Sequence, residues 1–165
     1  MKIIALDISG NHGKEGYGTT GIAVMEDGEV KELTSISAKD YESEVTYWAA
    51  HEDYILQEWP DHIIFEGYKL YNHKGKEASM QANSNLQTPQ ILGALKLVCF
   101  RLDIPYTVQF ASEVKTRWKE DILVHLGFLE QKGNRYYWNG KSTVTHTRDA
   151  LKHALHFDRY GRKKL

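Results

Sequence analysis

The chain opens with Lys2-Ile3-Ile4-Ala5-Leu6-Asp7-Ile8, a nearly unbroken apolar run of strand length, as expected of a strand buried on both faces. Residues 9–18 are rich in Gly, Asn and Ser and read as a loop. Residues 19–25 form a second apolar run, Asp27-Gly28 is a hairpin turn signal, and residues 29–36 are a third strand. Across residues 40–58, Val45, Trp48, Ala49, Ile55 and Leu56 recur at helical spacing until Pro60-Asp61 breaks the pattern. His62-Ile63-Ile64-Phe65-Glu66 is a short fourth strand, followed by a polar, basic and aromatic loop over residues 67–85. Thr88-Pro89 opens a helix with proline at its first position; Ile91, Leu92, Leu95, Leu97, Val98 and Leu102 make its apolar face. Tyr106-Thr107-Val108 is the fifth strand. Helical patterns follow near 111–127 and 146–158, with a small hairpin over 132–141 between them. The order β-β-β-α-β-α-β-α-(hairpin)-α predicts an α/β fold with a mixed five-stranded sheet and helices on its faces.

Composition adds few constraints. The chain has 165 residues, 41% hydrophobic and 26% charged, which suits one folded domain over 1–165 rather than disorder. No repeat or proline-rich linker divides it. One cysteine, Cys99, excludes an internal disulfide and a four-thiolate zinc site. The first apolar run is too short for a signal peptide or a membrane span, so a cytoplasmic setting is expected. Charge is more telling once divided. The net is −1, yet residues 1–66 carry 4 Lys and Arg against 14 Asp and Glu, and the rest carry 17 against 8. An acidic body with a basic working face suits a nucleic-acid partner.

Acidic residues at strand ends supply the candidate chemistry. Asp7 ends the first strand and Glu66 the fourth, where sites gather in open α/β sheets. Two carboxylates in a poorly hydrated cleft repel unless a cation neutralises them. On the last helix, His146, Asp149 and His153 fall on one side, with Thr145 as the cap of the helix start. His146 and Asp149, one turn apart, can share an ion; His153, a turn further on, reads as part of an ordinary polar face. Asp7, Glu66, His146 and Asp149 form an oxygen-rich set with one imidazole, which suits Mg²⁺ or Mn²⁺. Two such ions about 4 Å apart activate water for phosphodiester hydrolysis.

These parts, in order, resemble the RuvC-type Holliday junction resolvases of the ribonuclease H-like superfamily. Ile4-Ala5-Leu6-Asp7 with Thr20-Gly21-Ile22-Ala23-Val24 resembles the first two strands, and Ile63-Ile64-Phe65-Glu66 the strand bearing the second carboxylate. Gly93-Ala94, Ile104-Pro105-Tyr106, Val114-Lys115 and His146-Thr147-Arg148-Asp149-Ala150 complete the set. The small form with a short basic end looks most like resolvases carried by bacteriophages. The resemblance implies a ribonuclease H-like sheet with helices on both faces. It implies a homodimeric endonuclease using two Mg²⁺ ions per site, with Mn²⁺ substituting and no nucleotide cofactor. Such an enzyme nicks four-way and other branched DNA symmetrically, leaving 5′-phosphates. This sequence departs from the family in a longer loop over 8–19, in Lys69 where an aromatic is common, and in the lack of a glycine-rich turn after Val114-Lys115. His146 stands where many relatives have a carboxylate.

DNA contacts are expected from three basic groups: Tyr68, Lys69, Tyr71, Lys74 and Lys76 with His73; Lys115, Arg117 and Lys119; and Arg135 and Tyr137 with Lys141. Tyr136, Tyr137 and Trp138 serve either as stacking groups or as a small core. Arg159, Arg162, Lys163 and Lys164 make a generic basic tail. The helix over 89–101 offers an apolar stripe for core packing or a dimer seam. Alternatives of other classes are a ribonuclease H-fold nuclease for RNA–DNA hybrid, a junction-binding protein without catalysis, and an actin-like ATPase, which needs a second domain.

Overall fold

A computed structural model describes residues 1–69 and 86–162. Tyr71, His73, Lys74, Lys76, Lys163 and Lys164 lie outside the described residues. The main sheet contains β1 (Lys2–Asp7), β2 (Thr19–Glu26), β3 (Glu29–Ser37), β4 (His62–Glu66) and β5 (Tyr106–Gln109) in the order β3-β2-β1-β4-β5. β1, β2 and β3 pair antiparallel, while β4 and β5 run parallel with β1. The mixed five-stranded sheet is therefore as the sequence predicts.

Alternation along β1 divides the core. Ile4 and Leu6, with Ile63 and Phe65, face α1 (Glu44–Glu58) and α2 (Gln87–Arg101), where Ile55, Ile91, Leu92, Leu95 and Cys99 cover them. Ile3 and Ala5, with Ala23 and Ile64, face α5 (Thr145–His156). Ala5 and Ala23 at the centre of this second face are small, and Ala150 and Ala154 of α5 are small in turn. The helix backbone can therefore lie close to the centre of the sheet, across β1, β2, β3 and β4. Helices thus cover both faces.

Several local expectations are corrected. α1 starts at Glu44, because Ser43 caps it reciprocally with Thr46. It buries Tyr47, His51 and Ile55, leaving Val45 and Leu56 exposed. α2 starts at Gln87, so Pro89 is its third residue, and Leu97 faces solvent rather than the core. The pattern near 111–127 is two short helices, α3 (Ala111–Val114) and α4 (Glu120–His125). The expected hairpin is a three-stranded meander of β6 (Glu130–Lys132), β7 (Arg135–Trp138) and β8 (Lys141–Ser142). Its second turn is Asn139-Gly140, with φ of 46° and 76°, a pairing that tight hairpin turns favour. Thr145 is the first residue of α5 and not its cap; Val144 occupies the cap position, and Thr145 Oγ1 accepts from Arg148 Nη2 at 3.2 Å.

Candidate metal centre

β1 and β4 run side by side with Leu6 beside Phe65, so the next residues, Asp7 and Glu66, end the two strands together. The pleat turns both side chains toward α5. Gly21 on β2 stands opposite Asp7. A Cβ there would lie 2.0 Å from the carbonyl carbon of His146, so glycine lets the first turn of α5 rest on the strand. That close seat delivers His146 and Asp149 to the strand ends. Asp7, Glu66 and Asp149 each offer an oxygen, all within 4.8 Å of one another. His146 Nδ1 lies 2.8 Å from Asp7 Oδ2.

The surroundings of each carboxylate differ. Burial pushes the Asp7 carboxyl up; the His146 hydrogen bond opposes this and the charge of Glu66 adds to it. Burial acts the same way on Glu66, but hydrogen bonding and charge from His153, with Lys115, outweigh it and hold that carboxyl at about 2. The hydrogen bond to Asp7 pushes His146 up against the effect of burial. Lys115 Nζ sits among the carboxylates, 3.1 Å from Glu66 Oε1 and 2.7 Å from Asp149 Oδ2. Burial disfavours its charge, but the Asp149 hydrogen bond and the Glu66 and Asp7 charges push it to about 12.

Behind the cluster lies a buried polar layer. Lys152 Nζ donates to Asp149 Oδ1 at 2.8 Å and to Glu120 Oε1 at 2.7 Å. His153 is fully buried, with Nε2 3.1 Å from Glu66 Oε2 and Nδ1 3.0 Å from Gln109 Oε1. The expectation that His153 lies on an ordinary polar face is thus corrected. Glu66 reaches along the helix axis to its third turn, so the site spans about two turns of α5, from His146 to His153. Lys152, Glu120 and Gln109 were not anticipated as part of the site. No sequence signal marked Lys152: only the burial of α5 on nearly every side, seen in the structure, shows that its charge needs a partner.

The donor set fits a hard divalent cation, since it is rich in carboxylate oxygens with one imidazole at the rim. The repulsion among the three carboxylates, and the ammonium already placed among them, give the same indication.

The expected DNA contacts surround this cleft unevenly. Tyr68 and Lys69 follow Glu66 directly, Tyr68 is exposed, and Lys69 Nζ lies 4.1 Å above the Phe110 ring. Lys115 lies inside the cluster, whereas Arg117 and Lys119 are exposed beyond it. On the meander, Tyr136 and Trp138 pack against the core, as the small-core reading has it, while Arg135 and Tyr137 alternate to the other face. The guanidinium of Arg148 covers the Tyr136 ring at 4.9 Å. The long loop after β1 acts as a strap. Gly10 N donates to Thr88 Oγ1, His12 N to Gln87 Oε1, and Trp48 Nε1 to Gly10 O, which ties β1 to α1 and α2.

No protein-family model and no curated protein matches the chain in sequence. Solved structures do match it. T. thermophilus RuvC in complex with Holliday junction substrate superposes with a TM-score of 0.66 at 17% identity, covering 99% of this chain and 96% of that one. A second Thermus thermophilus RuvC structure gives 0.64 at 16% identity, covering 99% and 97%. The described residues therefore share the fold of the RuvC structures, a mixed sheet with helices on both faces, as the resemblance implied.

Proposed function

We propose that the protein is a metal-dependent, structure-selective endonuclease that resolves four-way and other branched DNA by paired hydrolysis leaving 5′-phosphates. One observation carries the reading: in a fold shared with RuvC, Asp7, Glu66 and Asp149 converge to within 4.8 Å at the ends of β1 and β4. Asp7, Glu66, His146 and Asp149 are the residues that would hold two Mg²⁺ ions, with Mn²⁺ able to substitute. Bound there, the ions would activate water and stabilise the leaving oxygen. The chain's own residues prepare the centre: His146 holds Asp7, Lys152 and His153 hold the other two carboxylates from behind, and Lys115 balances their charge at the mouth.

The DNA would lie across this mouth. Lys115, Arg117 and Lys119 would meet phosphates, with Tyr68 and Lys69 on one side and Arg135 and Tyr137 on the meander. Tyr71, Lys74 and Lys76 join this set on sequence alone. A homodimer would match the two-fold symmetry of a junction. The exposed Gly93, Ala94, Leu97 and Phe100 on one face of α2, with Leu97 56% and Phe100 81% exposed, would offer it an apolar seam. No helix among the described residues is long and apolar enough to cross a membrane, and we place the protein in the cytoplasm, as a bacteriophage-type resolvase acting in its host would be. No nucleotide cofactor is required.

The test is cleavage of a labelled four-way junction with and without Mg²⁺, beside linear duplex and an RNA–DNA hybrid. Paired symmetric nicks in the junction alone, dependent on metal, are expected. Cutting of the hybrid alone would move the protein to a ribonuclease H activity. Tight junction binding without cutting in Mg²⁺ or Mn²⁺ would leave an architectural role.

A further inference from the structure

The third turn of α5 places an imidazole where packing alone would favour an apolar group. His153 is fully buried beside Ala150, Ala154 and Phe157, yet both of its ring nitrogens meet polar side chains. Buried polar atoms are retained when they are bonded, and they are costly when a partner is lost. A carboxylate only accepts, so Nε2 donates to Glu66 Oε2. Nδ1 faces the amide of Gln109, itself buried, which can present an acceptor or a donor. Gln109 is held beside Glu66 by strand register, because the two are paired across β4 and β5. The ring is therefore held by Gln109 at the end away from Glu66.

The division of oxygens on Glu66 follows from this. Oε2 is taken by His153 in the protein interior, and Oε1 faces the cleft, where Lys115 Nζ lies at 3.1 Å. A glutamate has three rotatable side-chain torsions, so its carboxylate is the least fixed of the three in the cluster without such a hold. We infer that His153, oriented by Gln109, is a positioning residue that commits one oxygen of Glu66 and presents the other to a divalent cation. This rests on the proposed metal-dependent reading. It takes no part in the chemistry itself, and it is not needed as a ligand.

The experiment uses the full chain and two readouts. Mn²⁺ binding is titrated calorimetrically on the wild type, His153→Leu and His153→Gln, with thermal unfolding of each metal-free variant as the check on folding. His153→Leu should weaken Mn²⁺ binding by about 10–100-fold, the usual effect of losing such a support. His153→Gln, which restores an N–H donor toward Glu66, should recover most of that loss. An unchanged affinity in His153→Leu, or an equal loss in both variants, overturns the inference. If His153→Leu does not fold, Gln109→Leu replaces it, with a smaller loss expected and no loss overturning the inference.

The second readout needs no metal. In ¹⁵N-histidine-labelled protein, His153 should show an Nε2–H protected from solvent exchange, and Glu66→Leu should remove that protection. Absence of the protected proton overturns the inference whatever the titration gives. A wild type that takes up no Mn²⁺ overturns the metal reading instead, and the ring proton then decides the hold on Glu66 alone.

Discussion

Two lysines hold the same carboxylate in opposite ways. Lys152 meets Asp149 Oδ1 from the interior, with its side chain 5% exposed, and Lys115 meets Oδ2 from the cleft, with its side chain 33% exposed. Lys152 is also locked to Glu120 on its other side. The difference separates the site into an inner half that is part of the fold and an outer half that can exchange. An ion pair closed off from water is expensive to break, whereas one at a wet edge is screened and replaceable. Asp7 with His146, and Asp149 with Lys115, form the replaceable edge. Lys152, Glu120, His153 and Gln109 form the fixed backing.

The sharpest way to break this comparison is to remove the inner lysine. Lys152→Met leaves the buried Asp149 with Lys115 alone and the half-buried Glu120 without its nearest cation, and should cost about 3 kcal/mol of stability, read by urea unfolding of the metal-free protein. A loss below about 1 kcal/mol would mean that Lys152 is as replaceable as Lys115.

The next effect is on pH. The Glu66 carboxyl is held at about 2, below the ordinary 4.5, so its ionised form stabilises the fold. That contribution, up to about 3 kcal/mol, is complete above pH 4.5 and is lost as pH falls toward about 2. Asp7 runs the other way: its raised carboxyl makes ionisation a cost that is present at neutral pH and relieved on acidification. Without metal at pH 7, Glu66→Gln should therefore destabilise and Asp7→Asn should stabilise. Equal shifts of the same sign in chemical denaturation would remove the distinction between the two carboxylates.

A smaller effect is expected at the outer lysine. Lys115→Met removes the charge that a divalent ion must displace, so Mn²⁺ binding without DNA should tighten about tenfold, or about 1.4 kcal/mol, by calorimetry. Weaker Mn²⁺ binding would make Lys115 a support of the site rather than a competitor. Smallest is the effect at the meander. Arg135→Ala should weaken junction binding by about 1 kcal/mol or less and reduce the log–log salt slope by about one, if a single phosphate contact is lost.

The legibility of the site in the sequence follows the same division. Asp7 and Glu66 stand out because each ends an apolar run that must be a buried strand, and a charge there needs a purpose. The mixed five-stranded sheet, though not its strand order, was legible from the short turns between the first three strands and the helices between the rest. His146 and Asp149 were legible from their spacing. The backing was not. Lys152 and His153 look like the polar side of an amphipathic helix until the small residues Ala5, Ala23 and Gly21 are seen to draw α5 down onto the sheet, burying that side as well. Lys115 was legible as one of three basic residues at alternating positions and in the Val114-Lys115 pair, but not as a member of the cluster. Its place inside the cluster depends on how α3 and the turn after it sit against α5. The meander was misjudged as one hairpin because its two turns are only a few residues apart.

The proposed function is that the carboxylate cluster cuts branched DNA with the help of metal. Its most direct test compares wild type and Asp7→Asn on a four-way junction in Mg²⁺, with cleavage followed on a denaturing gel and binding by gel shift. Asp7→Asn should bind the junction as wild type does and cut it at least about 10³-fold more slowly, as expected when an electrostatic anchor of the transition state is lost. Undiminished Mg²⁺-dependent cleavage by pure Asp7→Asn protein would contradict it.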